Sequence, residues 1–372
     1  MTTYVHNLPN WPDFQLDEKR LTTPLGALRF RQGRLIGRMK DLGFSQQKEA
    51  TLETLTLDVL KSSEIEGEIL DRAQVRSSIA RRLGVDIGGL THADRDVEGV
   101  VEMILDATQN YSAPLTAERL WRWHASLFPT GRSAMRKIAV GRWRDDAAGP
   151  MQVVSGVLGR ERVHFEAPAA TRLDKEMTTF IEWFNVPNGT DPVLRSGLAH
   201  LWFVTIHPFD DGNGRIARAI ADMALTRAEE SRQRFYSMSA QIRNERTAYY
   251  EILEKTQREG LDVTPWMEWF LGCLDRAVGS AERNLDNILT KARFWRVHAN
   301  ASLNERQRLM LNKLLDGFEG KLTSSKWATI TQCSQDTASR DIVDLVQRGV
   351  LAKDPAGGRS TSYSLVLPEP SD

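Results

Sequence analysis

The sequence predicts a mostly α protein with one isolated β-hairpin and a small module of different character at its C-terminal end. Three observations carry this. Apolar residues recur at helical spacing through most of the chain, as Leu21, Leu25, Leu28, Leu35 and Met39 do over 18–42. β-prone runs are confined to 151–165 and to the stretch after 349. The chain has 372 residues, enough for two or three domains. The expected division is an N-terminal helical region over 1–100, a central domain over 101–285, and a linker helix with a terminal domain over 286–372.

Composition narrows the class. Hydrophobic residues make up 41%, which supports ordinary cores, and 49 basic residues cancel 49 acidic ones. A zero balance gives no general pull toward nucleic acid or an anionic membrane surface. No apolar run approaches the ~20 residues of a membrane helix. Residues 1–15 show no basic segment followed by an apolar core, so no secretory signal is expected. Cys273 and Cys333 form neither a metal pattern nor a disulfide framework. The expectation is a cytoplasmic protein without membrane contact.

Taken in order, the aromatic segment 11–14 is expected to anchor the N-terminus. A helix over 18–42 ends with Gly43 as its C-cap. Helices follow over 46–61, with Leu52, Leu55, Val59 and Leu60 as apolar positions, and over 74–83. After a glycine-containing loop, a helix over 93–110 buries Val97, Val100, Val101, Ile104 and Leu105. Thr116 caps a helix over 116–127, whose Trp121 and Trp123 read as core. Two β-prone runs, 151–157 and 163–165, flank a polar turn containing Gly159 and read as a hairpin; His164 there packs or caps. Helices are expected over 171–184, 192–206, 219–226, 243–255, 264–274 and 281–297.

The organising stretch is His207-Pro208-Phe209-Asp210-Asp211-Gly212-Asn213-Gly214-Arg215-Ile216-Ala217-Arg218. It lies between two apolar helices, its glycines just before the second. Glycines let backbone approach a ligand, and a helix start offers unpaired N–H groups and partial positive charge to an anion. Arg215 and Arg218 are three apart and share a face at that start, a placement that suits a polyphosphate. Asp211 suits a divalent cation bridging phosphates, and His207 a general base for an attacking hydroxyl. Taken singly, each of these residues also fits a polar interhelical turn. The lack of a Lys-Ser/Thr pair after the second glycine excludes a P-loop.

This run resembles the motif of the Fic family, His-Pro-Phe-x-(Asp/Glu)-Gly-Asn-Gly-Arg-x-x-Arg, at every defined position. Fic proteins mostly transfer AMP from ATP to a hydroxyl side chain of a target protein. The resemblance implies a Fic-type helical bundle in which His207 is the catalytic base and Asp211 holds Mg²⁺. The nucleotide would be bound by Gly212, Asn213 (backbone and amide), Gly214, Arg215, Ile216, Ala217 and Arg218. It implies that Val153, Val154, Ser155 and Gly156 form a flap whose edge holds the target peptide by strand addition. Tyr249 and Tyr250 would lie near the adenine and phosphates. Gln257 stands where the family has an adenine-contacting asparagine and offers the same amide on a longer arm.

Residues 62–68, Ser-Ser-Glu-Ile-Glu-Gly-Glu, read alone as a solvated acidic helix end. Ser62, Glu66 and Gly67 nonetheless fit the Ser/Thr-x-x-x-Glu-(Gly/Asn) inhibitory helix of many Fic proteins. The resemblance then implies that Glu66 pairs with Arg218 in place of the γ-phosphate. Such relatives often form homodimers that regulate this helix, and some also remove AMP, which the sequence leaves open here. Gly214 argues against the phosphate-transferring branch, which has lysine there; another branch transfers phosphocholine.

Helices over 304–315, 323–330 and 334–348 and strands over 349–351 and 363–366, about a turn at 354–358, look like a winged helix-turn-helix. Its charge does not favour DNA. Acidic and basic residues after 304 are equal in number, and the third helix sets Arg340 and Arg348 against Asp336, Asp341 and Asp344. The leading expectation is an autoinhibited protein adenylyltransferase that modifies a target and itself. The alternatives are a winged-helix transcription regulator with a nucleotide-sensing domain, and a non-catalytic interaction protein.

Overall fold

Packing divides the chain into two units, Met1–Ala281 and Glu282–Asp372. The computed structural model describes residues 3–87, 89–133, 135–147, 149–156, 160, 162–299, 301–315, 318, 320–355 and 361–367. In chain order the elements are α1 (Glu18–Lys40), α2 (Phe44–Ile65), α3 (Arg72–Leu83), α4 (Arg95–Gln109) and α5 (Ala117–Leu127). Then come β1 (Arg132–Ser133), β2 (Arg136–Lys137), β3 (Gln152–Ser155), β4 (Arg162–Glu166), α6 (Leu173–Asn185), α7 (Pro192–Ile206) and α8 (Asn213–Glu229). The series continues with α9 (Met238–Asn244), α10 (Arg246–Arg258), α11 (Thr264–Val297), α12 (Glu305–Leu315), α13 (Ser324–Thr331), α14 (Gln335–Gln347), β5 (Leu351–Lys353) and β6 (Tyr363–Leu365). The protein is mostly helical, with each strand pair an antiparallel two-stranded sheet.

In the first unit, α7 and α8 form the central pair. Both are buried on nearly every face: α7 is largely apolar all round, whereas α8 also buries the polar Asn213, Arg215, Arg218 and Asp222. Asp191 starts α7 by accepting a 2.7 Å hydrogen bond from the Val193 N–H, with Pro192 in the first turn. α2 packs against α3, α4, α8 and α9. The regions expected as separate over 1–100 and 101–285 therefore share one core. Trp11 packs edge-on against Trp202 and donates to Glu176 at 2.8 Å, which pins the N-terminal segment to α6 and α7.

Several boundaries differ from expectation. Gly43 does not end α1. It opens α2 in extended geometry, its N–H donating to Gln46 Oε1 at 2.9 Å, while Asp41 caps α1. α2 runs on to Ile65, which puts Ser62 on its last turn and Glu66 at its C-cap. The motif helix starts at Asn213, so Gly214 lies inside it. The expected helices 264–274 and 281–297 are one continuous α11. β1 and β2 are an unexpected short pair. Of the central hairpin, Val157 and Gly159 lie outside the described residues, as do 356–358 of the terminal turn.

The second unit buries Phe294, Met310, Leu311, Trp327, Ile342 and Leu345 among its helices, with β5 and β6 closing one side. Two acidic residues of α14 are held by side chains of the same unit, Asp341 buried and Asp344 partly exposed. Asp341 accepts from Asn304 and Arg306 at 2.9 and 2.8 Å, and Asp344 from Gln307 and Arg348 at 2.7 and 2.9 Å. Among the described residues no helix is long and apolar enough to cross a membrane.

Candidate active site

The turn from α7 to α8 is built by residues that spend their polar groups on its backbone. His207 ends α7 in the left-handed region, φ 53° and ψ 57°, its N–H closing on the Phe203 carbonyl at 3.0 Å. Phe209 plunges into the core, where His124 stacks on it at 4.2 Å. The Asn213 amide clasps the Phe209 backbone from both sides, Oδ1 accepting its N–H at 3.0 Å and Nδ2 donating to its carbonyl at 2.8 Å. Both amide atoms are thus engaged by the turn and not directed at a ligand, contrary to the expectation that this amide would hold phosphates. Gly212 then adopts φ 78° as the N-cap of α8, with Phe128 packed so close that a β-carbon would lie 2.9 Å from its ring. Arg144 holds the turn from outside, donating to the carbonyls of His207 at 2.9 Å and Pro168 at 2.5 Å.

His207 is left poised as an acceptor. Its Nδ1 lies 3.1 Å from the Val204 carbonyl, an acceptor only, so Nδ1 carries the proton and Nε2 the lone pair. Burial pushes its pKa down to about 4, helped by the charge of Arg144. The ring is neutral near pH 7, as a base must be. Asp211 lines the same cavity and is contacted by the Ser133 hydroxyl, while Asp210 accepts the Ala139 N–H at 2.8 Å.

The two arginines of α8 meet the segment that follows α2. Arg218 donates through Nε to Ser62 Oγ at 3.0 Å, and through Nη2 to the Ser62 carbonyl at 2.8 Å and Glu66 Oε1 at 2.7 Å. Burial works against the Arg218 charge, but Glu66 outweighs it and holds the guanidinium above its ordinary pKa. The Glu66 carboxylate rests on Gly214, where a β-carbon would stand 2.4 Å from Oε1. It therefore occupies the positive end of α8. Gly67 turns the chain away at φ 89°, and Glu68 returns to accept from Arg215 Nη1 at 2.6 Å. Arg215 also lies 5.1 Å over the Phe128 ring. Among the described residues, Arg218 Nη1 and Arg215 Nε are buried donors without a partner.

A cavity of about 780 Å³ opens beside this turn, the size of a small-molecule site. Its floor is His207, Asp211, Gly212, Asn213 and Gly214, with Glu66 at one end. Val153, Val154 and Ser155 of β3 form one wall, and Tyr249, Tyr250 and Gln257 of α10 the other. Tyr249 is almost wholly buried, its hydroxyl 2.8 Å from His200 Nε2, so Tyr250 is the more open of the pair. Gln257 Nε2 donates to Thr205 at 3.2 Å. Ile216 and Ala217 point into the core and present only backbone to the turn. Gly156 follows β3 at φ 106° and is not part of the wall.

Phe128 reads as core from its sequence setting and is buried, while Glu68, Arg144 and Ser133 were not singled out as site residues. Glu68 was within the quoted acidic run but had no visible partner. The others stand alone in sequence, with no local pattern to mark them.

Two buried helices meeting at a glycine-containing turn, with arginines and a carboxylate at the start of the second, make a candidate anion site of helical type, distinct from the strand-based P-loop. The match to known families specifies which: residues 114–225 match the Fic/DOC family. Residues 4–85 match a second model, described as a domain of unknown function (DUF4172). The chain is 32% identical over 113 residues to the protein adenylyltransferase Fic of Nematostella vectensis, covering 30% of this chain and 25% of that protein. It is 26% identical over 239 residues to the protein adenylyltransferase Fic of Drosophila mojavensis, covering 63% of this chain and 42% of that protein. The chain thus spans less than half the length of these curated relatives. A Fic family protein from Desulfovibrio desulfuricans shares the fold at a TM-score of 0.51 and 21% identity, over 92% of this chain and 96% of that one.

Proposed function

We propose that this protein is a nucleotidyltransferase that moves AMP from ATP to a hydroxyl side chain of a protein, restrained by its own Glu66. The observation that carries this reading is the seat of Glu66: a carboxylate held on Gly214 and Arg218, at the start of a helix and beside a neutral histidine. A carboxylate satisfied there marks a place built for anionic oxygens. The unpartnered buried donors of Arg215 and Arg218 are further groups that phosphate oxygens would satisfy.

In this reading the first N–H groups of α8 cradle the phosphates, which Gly214 allows to approach closely. Arg215 and Arg218 neutralise the distal end once their glutamates withdraw. Nε2 of His207 takes the proton from a Ser, Thr or Tyr hydroxyl lying along β3, that oxygen attacks the α-phosphorus, and pyrophosphate leaves. Tyr250 and Gln257 flank the base. The donor set fits Mg²⁺, which takes one or two carboxylates together with phosphate oxygens, and Asp211 is the carboxylate that would hold it. Bound there, the ion supplies charge neutralisation on the phosphates. The target is a protein held along the free edge of β3.

ATP labelled at its α-phosphate tests the proposal. The Glu66→Gly chain should incorporate label into itself or added protein, and Glu66→Gly with His207→Ala should not. Lack of incorporation by the former under any condition, with ATP binding intact, would sink the reading.

A further inference from the structure

The flap carries reactive groups that this mechanism leaves unused. Ser155 ends β3, and its Oγ lies 2.6 Å from His164 Nε2. The strand register jumps at this point: Val153 pairs with Phe165 and Val154 with Val163, so His164 is the extra residue of a bulge. Its other nitrogen, Nδ1, lies 2.5 Å from Glu254 Oε2 on α10. Glu254 is also met by Arg162 at 2.9 Å and Arg258 at 3.0 Å. Burial tends to raise the Glu254 pKa, but hydrogen bonds from His164 and Arg162 and the charge of Arg258 outweigh it, and the group lies below its ordinary value. An ionised carboxylate accepts only, so the imidazole proton sits on Nδ1 and Nε2 is left to accept from the Ser155 hydroxyl.

The order hydroxyl, imidazole, carboxylate is the arrangement that activates a serine. A plain clasp between hairpin and helix would not require it. Arg258 already fastens β4 to α10 by donating to the carbonyls of Val163 at 2.8 Å and His164 at 3.0 Å. Ser155, His164 and Glu254 all line the cavity whose floor is His207 and the start of α8.

We propose that Ser155 is a self-modification site, its hydroxyl accepting the nucleotidyl group of a nucleoside triphosphate held in that cavity. The proposal rests on the nucleotidyl-transfer reading above. The Ser155 Oγ–Pα bond forms as the bond from Pα to the bridging oxygen of the β-phosphate breaks. Pyrophosphate leaves with that electron pair, the hydroxyl proton passes to His164 Nε2, and Glu254 holds the imidazolium. The product carries a nucleotide on the very strand whose edge would receive a target, so modification of Ser155 closes the flap to other substrates.

The test is peptide mass mapping of the full-length Glu66→Gly chain after incubation with ATP and Mg²⁺. The expected result is an adenylyl group on Ser155, absent in Ser155→Ala and formed about 100-fold more slowly in His164→Gln. Glu254→Gln preserves a hydrogen bond to Nδ1 while removing the charge, and lowers the rate by a smaller factor. Adenylylation confined to other hydroxyls, or a Ser155 rate unchanged in His164→Gln, overturns this proposal and leaves the transfer reading standing. Lack of incorporation into any residue or added protein overturns both.

Discussion

Glu68 meets Arg215 at 2.6 Å while Glu66, two residues earlier, meets Arg218 at 2.7 Å, so one short segment covers both arginines of the motif. The two pairs differ in weight. Glu66 has a side chain 30% exposed, and its partner is buried and further fixed by Ser62. Such a charge-assisted contact contributes about 1.5–3 kcal/mol. Glu68 is 47% exposed, where solvent screening leaves about 1 kcal/mol or less. A ligand that must displace these pairs has its apparent affinity reduced accordingly. Glu66→Gly should therefore tighten ATP binding by about 10- to 100-fold, and Glu68→Gln by about fivefold at most. Calorimetric titration with ATP checks this. The Glu68 effect should fade at high salt and the Glu66 effect persist. A reversed order would make Arg215 the contact that restrains the site.

Gly214→Ala separates release of the glutamate from access for phosphate. The new β-carbon would lie 2.4 Å from Glu66 Oε1, so the carboxylate must leave its seat. That β-carbon then fills the place where phosphate has to approach the helix start. The expected outcome is a chain that loses the Glu66–Arg218 pair yet transfers no more AMP than the parent, unlike Glu66→Gly. Label incorporation by the two variants, measured side by side, decides it. Gly214→Ala matching Glu66→Gly would show that phosphates bind elsewhere.

What could be seen in the sequence was what lies close together in it. The turn from His207 to Arg218 builds its own geometry, so its residue types showed a helix start with glycines, a base and paired arginines. The seat of Ser62 and Glu66 was legible only through the resemblance to the Fic inhibitory helix; read alone, the segment looked like a solvated acidic helix end. The partner of Glu68 is 147 residues away and the carbonyl held by Arg144 is 63 away, and neither residue belongs to a local pattern. Between the expected helices over 264–274 and 281–297, α11 runs unbroken through Gly279 and Ser280, poor helix formers. Their cost of about 1 kcal/mol is overridden by burial of Ala277 and Val278 alongside. The Asn213 amide illustrates another limit: polar groups read as ligand donors serve the backbone when the turn itself has buried groups to satisfy.

Asn213 gives a stability prediction. Its amide donates to and accepts from the Phe209 backbone, which is buried beneath the turn. Asn213→Ala leaves a buried N–H and carbonyl unsatisfied and should cost about 2–4 kcal/mol. Asn213→Asp keeps the acceptor, loses the donor and places a carboxylate against the Phe209 carbonyl, so it should cost a comparable amount. Urea denaturation followed by tryptophan fluorescence measures both. A loss under about 0.5 kcal/mol in Asn213→Ala would show that the turn holds without this clasp.

The last prediction concerns the protonation of His207. Burial is the main cause of its lowered pKa, about 4 against an ordinary 6.5, with Arg144 adding to the shift. A lowered value means the neutral ring persists as pH falls through 6.5, and is lost only on passing through about 4. As the base proposed above, the ring is therefore neutral across the neutral and mildly acidic range. An NMR titration of the ring of His207, assigned by comparison with His207→Ala, should show no midpoint between pH 5.5 and 7.5 and the onset of protonation near the lower value. Arg144→Ala removes a nearby positive charge and the clamp on the His207 carbonyl, so its midpoint should move upward toward 6.5. A midpoint near 6.5 in the unmodified chain would mean that the ring is solvated and that burial does not set the state of the base.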